Sequence, residues 1–326
     1  MIVNPLATLG QPAVTAAAEQ LEGLLTESVT TGEPFLDEIT THLIGAGGKR
    51  IRPVLALAAA SHQGRDLTRE DLLGGVSVEL VHLASLYHDD VMDEATQRRN
   101  VESVNHRYGN MVAIVAGDYL LARSAAIAAS LGTEIAGLLA DTLAKLTEGQ
   151  VSEVRTAYST ARSLEDYLTA IGGKTSSLMA TSARIGALTS QRPRDEVDLL
   201  TGYGFDLGNV FQLRDDVLDM VATDGQLGKP AGQDLAEGIY TLPALVALED
   251  PTHGEALREL LGGPLGDEER EQARKLVVQT DGVAHTLAEA RRYVDRCVER
   301  AAALGPGVGE GLSALATELL VGLPTA

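Results

Sequence analysis

Apolar residues recur along most of the chain at spacings of three and four positions, which is the pattern of amphipathic α-helices. The pattern breaks at clusters of glycine and proline, which mark turns. It predicts helices over residues 16–29, 34–43, 53–60, 72–90, 113–131, 135–156, 164–172, 175–188 and 196–218, then short helices over residues 254–326. Because no linker-like stretch divides the chain, we expect one all-α domain over residues 1–326, a single-domain helical bundle.

Two of the predicted helices end in acidic clusters of the same design, with carboxylates at positions i, i+1 and i+4. On one helix face, side chains at i and i+4 have Cβ atoms about 5–6 Å apart. Like charges so close repel by about 4 kcal/mol at an effective dielectric near 20, unless a cation lies between them. All-carboxylate ligation is typical of Mg²⁺, which also binds substrate phosphates. The clusters are Asp89, Asp90 and Asp93, and Asp215, Asp216 and Asp219.

Composition supports a helical protein and excludes several function classes. Aromatic residues make up 3% of the chain and tryptophan is absent, whereas alanine and leucine are frequent. The net charge of -20 disfavours nucleic acid and anionic membranes as partners. Cys297 is the single cysteine, so an intrachain disulfide is excluded and a cytoplasmic location is expected. Asp118 and Arg123 interrupt the most apolar stretch, residues 112–131, and we expect no membrane span.

Basic residues form small groups that oppose this negative charge. Lys49 and Arg52 follow a glycine pair and lie three positions apart, so they can share a helix face. Arg98 and Arg99 follow the first acidic cluster, and Lys174 follows another glycine pair. Any one of them alone would be read as a surface salt bridge. Together with two metal-binding clusters they indicate two phosphate sites, one bridged by metal and one held by cations.

Three further features lie close to the acidic clusters in sequence. Residues 221–240, rich in glycine, aspartate and proline, are expected to form an active-site lid that contains Lys229. His82 lies two helical turns before Asp89 on the same face, where it can contact the second phosphate group. Gln212 lies one turn before Asp215. All three would add polar groups to one site.

Together these motifs resemble the trans-isoprenyl diphosphate synthases, also called polyprenyl synthetases. The resemblance runs from about residue 33 to the last helices and is specific, because many separate motifs match. They are Gly47-Gly48-Lys49-Arg50-Ile51-Arg52-Pro53, residues 79–93 with Arg98-Arg99, Ala116-Gly117-Asp118-Tyr119-Leu120, Gly173-Lys174-Thr175, residues 211–219, Lys229-Pro230-Ala231-Gly232-Gln233-Asp234 and Thr241-Leu242-Pro243.

The resemblance implies an isoprenoid synthase type I fold, with helices around a central active-site cavity, in a homodimer. It implies Mg²⁺, expected as three ions, and head-to-tail condensation of an allylic prenyl diphosphate with isopentenyl diphosphate. The metal ligands would be Asp89, Asp93 and Asp215, assisted by Asp90 and Asp219. The allylic diphosphate would contact Arg98, Lys174 and Lys229, and isopentenyl diphosphate would contact Lys49, Arg52, His82 and Arg99. Thr175 and Gln212 would lie nearest the developing carbocation.

Two positions depart from the pattern that the resemblance implies. The family often has lysine two residues before the threonine of Thr241-Leu242-Pro243, where this chain has Ile239. One contact to the allylic diphosphate is then absent or supplied elsewhere. Asn100 stands where glycine commonly follows the arginine pair, so the local turn is expected to differ. Neither departure touches a metal ligand.

Product length in this family depends on how far the cavity runs below the first acidic cluster. Ala84 and Ser85 lie five and four positions before Asp89 and are small, and Val81 lies about one turn further back. We therefore expect an open tunnel, with its floor formed by residues such as Met111, Val115 or Met179. The expected product has about six to nine isoprene units. A geranylgeranyl or farnesyl diphosphate synthase is the shorter-product alternative.

Other protein classes fit the sequence less well. Class I terpene cyclases share the first acidic cluster, but their second metal site normally mixes Asn, Ser or Thr with Glu. A di-iron bundle needs two Glu-x-x-His pairs, and this chain has one, Glu79 to His82. A regulatory subunit of a heteromeric synthase would usually lack intact acidic clusters, and both are intact here.

Overall fold

The described parts of the chain, residues 4–62, 64–222 and 230–323 of a computed structural model, are built almost entirely from helices. The first eleven α-helices are α1 Pro5–Leu9, α2 Pro12–Val29, α3 Pro34–Gly45, α4 Ile51–Ala60, α5 Arg69–Met92, α6 Val104–Tyr108, α7 Asn110–Leu131, α8 Thr133–Thr156, α9 Leu164–Ile171, α10 Ser177–Thr189 and α11 Arg194–Val221. A π-helix, Gly172–Ser176, joins α9 to α10. The later helices are Gln233–Ala236, Leu242–Leu248, Gly254–Leu260, Asp267–Val278, Gly282–Ala302 and Val308–Glu318.

The all-α prediction is confirmed, and the two helices that carry the acidic clusters are long. Helix α5 begins at a capping box in which Thr68 and Asp71 satisfy each other's backbone N–H groups. The expectation of only short helices over residues 254–326 was wrong, because Gly282–Ala302 has 21 residues. Its buried side includes Leu287, Ala290 and Val294, which are spaced three and four positions apart, and no proline or internal glycine interrupts the helix.

The core is centred on α5, which is buried along most of its length and packs against α4, α7 and α10. Helix α11 packs between α10 and Gly282–Ala302. Close packing depends on small residues at the contacts. A Cβ atom at Gly186 would lie 1.9 Å from the carbonyl oxygen of Ala56, so α10 and α4 can approach only with glycine there. This packing fixes the directions of α5 and α11, and with them the positions of both acidic clusters.

A short hairpin follows the first acidic cluster, with β1 Gln97–Arg98 pairing antiparallel to β2 Val101–Glu102. The two turn residues, Arg99 and Asn100, both have positive φ, 54° and 63°. Two central residues with positive φ are typical of a type I′ turn, and asparagine adopts this conformation more readily than most residues. Asn100 therefore supports the turn without glycine.

Helix α7 is the one described helix that is long and apolar enough to cross a membrane by length and composition, and 39% of its most apolar stretch is buried. The expectation of no membrane span stays a prediction, because this test concerns length and composition only. Core helices of globular proteins pass the same test, and one side of α7 packs along α5. The other side exposes Met111, Ile114 and Val115.

Candidate active site

Both acidic clusters face one cavity of about 860 Å³. Asp89 and Asp93 reach it from the end of α5, and Asp215 and Asp219 reach it from the end of α11. Its other charged and polar lining residues include Lys49, Arg98, Glu153, Arg162, Tyr167, Lys174, Thr175, Gln212, Arg214, Asp216, Asp234 and Thr241. The structure thus brings two carboxylate groups and several cations from distant parts of the sequence to one place.

The first cluster has the electrostatic character expected of a cation site. Desolvation in the cavity, and then the nearby Asp89 carboxylate, raise the pKa of Asp93. Desolvation also raises the pKa of Asp89, although Lys174 and Arg98 oppose this. A divalent cation would relieve the repulsion, and an all-oxygen donor set suits Mg²⁺. Among the described residues, no group of three His, Cys, Asp or Glu side chains is placed to hold an ion by itself, so further ligands would come from substrate and water.

Asp90 differs from its neighbours Asp89 and Asp93, because it does not line the cavity. It is 2% exposed, its Oδ1 accepts a hydrogen bond from Nε of Arg98 at 2.6 Å, and the same oxygen is ion-paired with Nη2 at 2.6 Å. Asn105 Nδ2 donates to the Asp90 carbonyl oxygen at 2.9 Å. Asp90 therefore anchors Arg98 at the cavity wall and is poorly placed for the assisting metal role that the sequence suggested.

The second cluster divides its carboxylates differently. Asp215 is paired with Arg214 at 3.0 Å, and Asp219 accepts a hydrogen bond from the Asp234 backbone N–H at 3.3 Å. Asp216 lines the cavity and is 1% exposed. Its burial raises its pKa to about 8, although hydrogen bonds from Tyr167 and Gln212 oppose the rise. The middle aspartate, which the sequence did not assign to metal binding, thus sits inside this site.

A chain of hydrogen bonds links the polar residues expected near the carbocation. Thr175 Oγ1 donates to Gln212 Oε1 at 2.9 Å, and Gln212 Nε2 donates to Asp216 Oδ1, also at 2.9 Å. The Tyr167 hydroxyl donates to Asp216 Oδ2. The π-helix Gly172–Ser176 carries Thr175, and π-helical turns often occur at functional sites. Thr175 and Gln212 are therefore held in fixed orientations at the cavity wall.

Lys174 also lies on the π-helix, and its Nζ is 2.5 Å from Glu153 Oε1. Burial disfavours charge on this lysine, but Glu153 and Asp89 outweigh that effect and raise its pKa. Sequence reasoning missed Glu153, which reaches the cavity from α8. A Cβ at Gly173 would lie 2.7 Å from the Lys145 carbonyl oxygen, so glycine there lets α8 approach the π-helix. Lys174 remains charged and close to the first cluster.

The residues expected to bind isopentenyl diphosphate separate into two groups. Lys49 is exposed and lines the cavity. Arg52, His82 and Arg99 do not line it, but they lie close enough to one another to interact electrostatically. Burial, followed by the charges of Arg52 and Arg99, lowers the pKa of His82 well below its usual value. His82 is therefore neutral beside two arginines, a charge pattern that suits an anionic ligand.

The arginines of this second group are held by the fold. Arg99 donates to the carbonyl oxygens of Leu43 and Gly47, and a Cβ at Gly48 would lie 2.8 Å from its guanidinium carbon. Burial lowers the pKa of Arg52, which Glu79 opposes and Arg99 reinforces. The Nε of Arg52 is buried without a hydrogen-bond partner among the described residues.

Arg50 has a different role from its neighbours Lys49 and Arg52. It has a left-handed backbone, φ 47°, and its guanidinium pairs with Glu79 at 2.8 Å and Glu22 at 2.6 Å. Glu79 is 1% exposed, and its carboxylate is paired with the buried Arg50. This pairing argues against Glu79 as a ligand of a di-iron site.

The chain-length residues lie beside the site but not in the lining of the 860 Å³ cavity. Val81 is 1% exposed and Ala84 is fully buried, while the Ser85 hydroxyl donates to the His82 carbonyl oxygen at 2.8 Å. The open tunnel that we expected past these residues is therefore not part of this cavity.

Two of the three suggested floor residues are also misplaced. Met111 and Val115 are 79% and 54% exposed on the outer face of α7, so the suggestion that they form a tunnel floor was wrong. Met179 is buried. Lys229 lies outside the described residues.

The chain is similar to known proteins over most of its length. The Polyprenyl synthetase family matches residues 33–279. A nonaprenyl diphosphate synthase from Mycobacterium tuberculosis (strain ATCC 25618 / H37Rv) is 37% identical over 86% of this chain and 84% of its own. Heptaprenyl diphosphate synthase component 2 from Geobacillus stearothermophilus is 38% identical over 87% of this chain and 88% of its own. A solved geranylgeranyl pyrophosphate synthase from Corynebacterium glutamicum, complexed with calcium and isoprenyl diphosphate, has a TM-score of 0.85 and 37% identity, covering 96% and 98% of the two chains.

A helical fold with two aspartate-rich helix ends over a cation-lined cavity defines an isoprenoid synthase. The chain belongs to the polyprenyl synthetase family, as the family match and the two curated relatives show. It is a transferase of that family, which confirms the resemblance seen in the sequence.

Proposed function

We propose that this protein condenses an allylic prenyl diphosphate with isopentenyl diphosphate, repeatedly, to an all-trans product of about six to nine isoprene units. The observation that carries the reaction class is the meeting of both acidic clusters with Lys174 and Arg98 in one cavity. The hepta- and nonaprenyl synthases among its relatives support the long product. The geranylgeranyl synthase of similar identity keeps a shorter product as the alternative.

The side chains of the cavity suit the ionisation of an allylic C–O bond. Asp89, Asp93, Asp215 and Asp219 would hold Mg²⁺, proposed as three ions, and bound Mg²⁺ would neutralise charge on the departing diphosphate. Lys174, and Arg98 fixed by Asp90, line the same cavity and would contact this leaving group. They need no reorganisation when that charge develops.

The second substrate completes the condensation. Its double bond attacks the allylic carbon, a carbon–carbon bond forms, and a proton passes to the released diphosphate. Thr175 and Gln212, fixed by their hydrogen bonds, offer oxygen dipoles to the cation formed in between. Lys49, Arg52, His82 and Arg99 would hold the isopentenyl diphosphate.

Residues 221–240 are proposed to close over the cavity as a lid. The described part of this segment is tied to the second cluster, because the Gly232 N–H donates to the Asp219 carbonyl oxygen at 2.8 Å. Ile239 and Asp234 line the cavity. Closure would exclude water from the carbocation, which water would otherwise quench. A cytoplasmic location is proposed on the single cysteine.

To test the function, purified protein is incubated with Mg²⁺, isopentenyl diphosphate and farnesyl diphosphate, and the products are sized by chromatography after dephosphorylation. We expect products of about six to nine isoprene units. A geranylgeranyl product as the sole product would overturn the long-chain proposal and leave the reaction class intact. Cyclised terpene formed without consumption of isopentenyl diphosphate would overturn the reaction class.

A second copy of the chain is the proposed partner, and it would cover the outer face of α7. Met111, Ile114 and Val115 are 79%, 43% and 54% exposed there, and exposed alanines continue the same face toward Leu131. The exposed Asp118 interrupts this face, and the apolar residues on both sides of it favour a protein partner. The name of the Geobacillus relative, component 2, raises a different subunit as the other candidate, and activity of this chain alone would argue against that requirement.

We expect Val115→Glu to convert the dimer to a monomer, because a charge would have to be buried without a partner in the interface. Sedimentation velocity at several protein concentrations measures this change. Val278→Glu is the matched control, since Val278 is 43% exposed on Asp267–Val278, away from α7, and should leave the dimer intact. An unaltered dimer in the Val115 variant would place the interface elsewhere.

A further inference from the structure

One cation in the cavity has no role in the reaction described so far. Arg162 lies between α8 and α9, lines the cavity and is 7% exposed. Among the described residues it makes no ion pair within 4.0 Å, and its Nε is buried without a hydrogen-bond partner. A buried guanidinium is normally paired with a carboxylate or another anion. The unpaired state of Arg162 therefore points to an anionic ligand.

The position of Arg162 is fixed by contacts across the cavity mouth. Its Nη1 donates to the Tyr240 carbonyl oxygen at 3.1 Å, and its guanidinium carbon lies 5.6 Å from the centre of the Tyr167 ring. The Tyr158 N–H donates to the Gly238 carbonyl oxygen at 2.9 Å. These bonds join the segment before α9 to residues 238–240. Arg162 and Ile239 both line the cavity.

A second buried polar atom in the cavity lining also has no hydrogen-bond partner among the described residues. Thr241 is 4% exposed, and its Oγ1 is not hydrogen-bonded. Buried polar groups without partners are uncommon and usually mark an absent ligand or water. Both residues are close to Tyr240. Arg162 donates a hydrogen bond to the Tyr240 carbonyl oxygen, and Thr241 is the next residue in the chain. Two unmet donors on one wall suit oxygen atoms of a diphosphate.

We propose that Arg162, together with Thr241, binds the diphosphate of the allylic substrate and supplies the positive charge that Ile239 does not. The proposal rests on the proposed function, since that function identifies the diphosphate. Glu153 and Asp216 lie near enough to stabilise the charge of Arg162 without forming an ion pair with it. The guanidinium can therefore stay charged and still offer its donors to the ligand.

The central test compares Arg162→Met with wild type in steady-state kinetics. We expect the KM for farnesyl diphosphate to rise at least tenfold, while the KM for isopentenyl diphosphate changes less than twofold. Arg155→Met is the matched control, because Arg155 is exposed on α8 outside the cavity lining, and it should leave both values unchanged. An unchanged KM for farnesyl diphosphate in the Arg162 variant would overturn the proposal.

A charge restored at position 239 distinguishes ligand binding from a structural role. In the Arg162→Met background, Ile239→Lys should recover most of the lost affinity for farnesyl diphosphate, because the side chain at 239 lines the same cavity. Absence of recovery, with both proteins folded by circular dichroism, would argue that Arg162 acts by holding Tyr240. If Arg162→Met does not fold, Thr241→Val replaces it, with an expected rise of at least threefold in the same KM.

Binding of inorganic pyrophosphate with Mg²⁺, measured by calorimetry, separates this proposal from the proposed function. If Arg162→Met binds pyrophosphate more weakly than wild type, and wild type makes no polyprenyl product, the anion site would be supported and the proposed function refuted. An active wild type with equal pyrophosphate binding in both proteins would refute the anion site alone.

Discussion

Replacing both outer aspartates of the first cluster, Asp89→Asn with Asp93→Asn, should lower kcat by at least about 10³-fold, equivalent to about 4 kcal/mol in the activation barrier. The reason is that both carboxylates line the cavity in which the proposed Mg²⁺ ions would hold the diphosphate. Without them, charge on the leaving group is opposed only by the cations. Product formation from radiolabelled isopentenyl diphosphate measures the effect.

The same variant should be as stable as wild type or more stable when no metal is added. The Asp89 carboxylate contributes to the raised pKa of Asp93, which indicates repulsion that the substitutions remove. Adding Mg²⁺ with pyrophosphate should raise the Tm of wild type but not of the variant. A ligand stabilises the folded state only of a protein that binds it, and the variant lacks the carboxylates that would hold the metal.

Asp295→Asn serves as the control, since Asp295 is exposed on Gly282–Ala302 and far from either cluster in sequence. It should retain full activity and the full Tm response to Mg²⁺ with pyrophosphate. A double variant that kept wild-type kcat would show that the first cluster does not hold the metal.

Ala84→Phe should shorten the main product by at least about three isoprene units. Ala84 is fully buried on α5, five positions before Asp89, and packs in the same cluster as Tyr87 and Met179. A growing chain that passes between α5 and its neighbours would meet the new ring within about one helical turn of the first cluster. The ring would therefore block elongation early. Product sizing on the same substrates as for wild type gives the answer.

Overpacking at a buried alanine destabilises a core by roughly 1–3 kcal/mol, so the stability of this variant must be measured alongside its products. Ser85→Phe is the companion variant, because Ser85 is only partly buried and tolerates a larger side chain with less strain. Ala84→Ser is the size control and should leave product length unchanged. If both phenylalanine variants folded and still made wild-type products, elongation would follow another path.

The sequence was sufficient to predict those parts of the site whose chemistry depends on the spacing of residues within one helix. Carboxylates at i and i+4 on apolar helices, such as Asp215 and Asp219, reach the cavity because both helix faces are set by core packing. The two middle aspartates look equivalent in sequence, yet Asp90 turns inward and Asp216 turns to the cavity. A tertiary contact decides this difference, since Arg98 reaches Asp90 only after the β1–β2 hairpin has folded back.

Residues brought in from other elements left no local signal. Glu153 and Arg162 lie far in sequence from both clusters, and no motif spacing relates them to the aspartates. On α7, apolar residues occur on nearly every face, so periodicity could not show that Met111 and Val115 point outward. Helix bounds were easier to predict because glycine and proline mark them, as at Pro34 and Gly132.

The left-handed backbone at Arg50 separates three basic residues that are close in sequence. Lys49 lines the cavity, Arg50 is buried against Glu79, and Arg52 lies in the first turn of α4. A substitution at position 49 would alter the cavity alone, whereas a change at position 50 would remove a counterion of the buried Glu79.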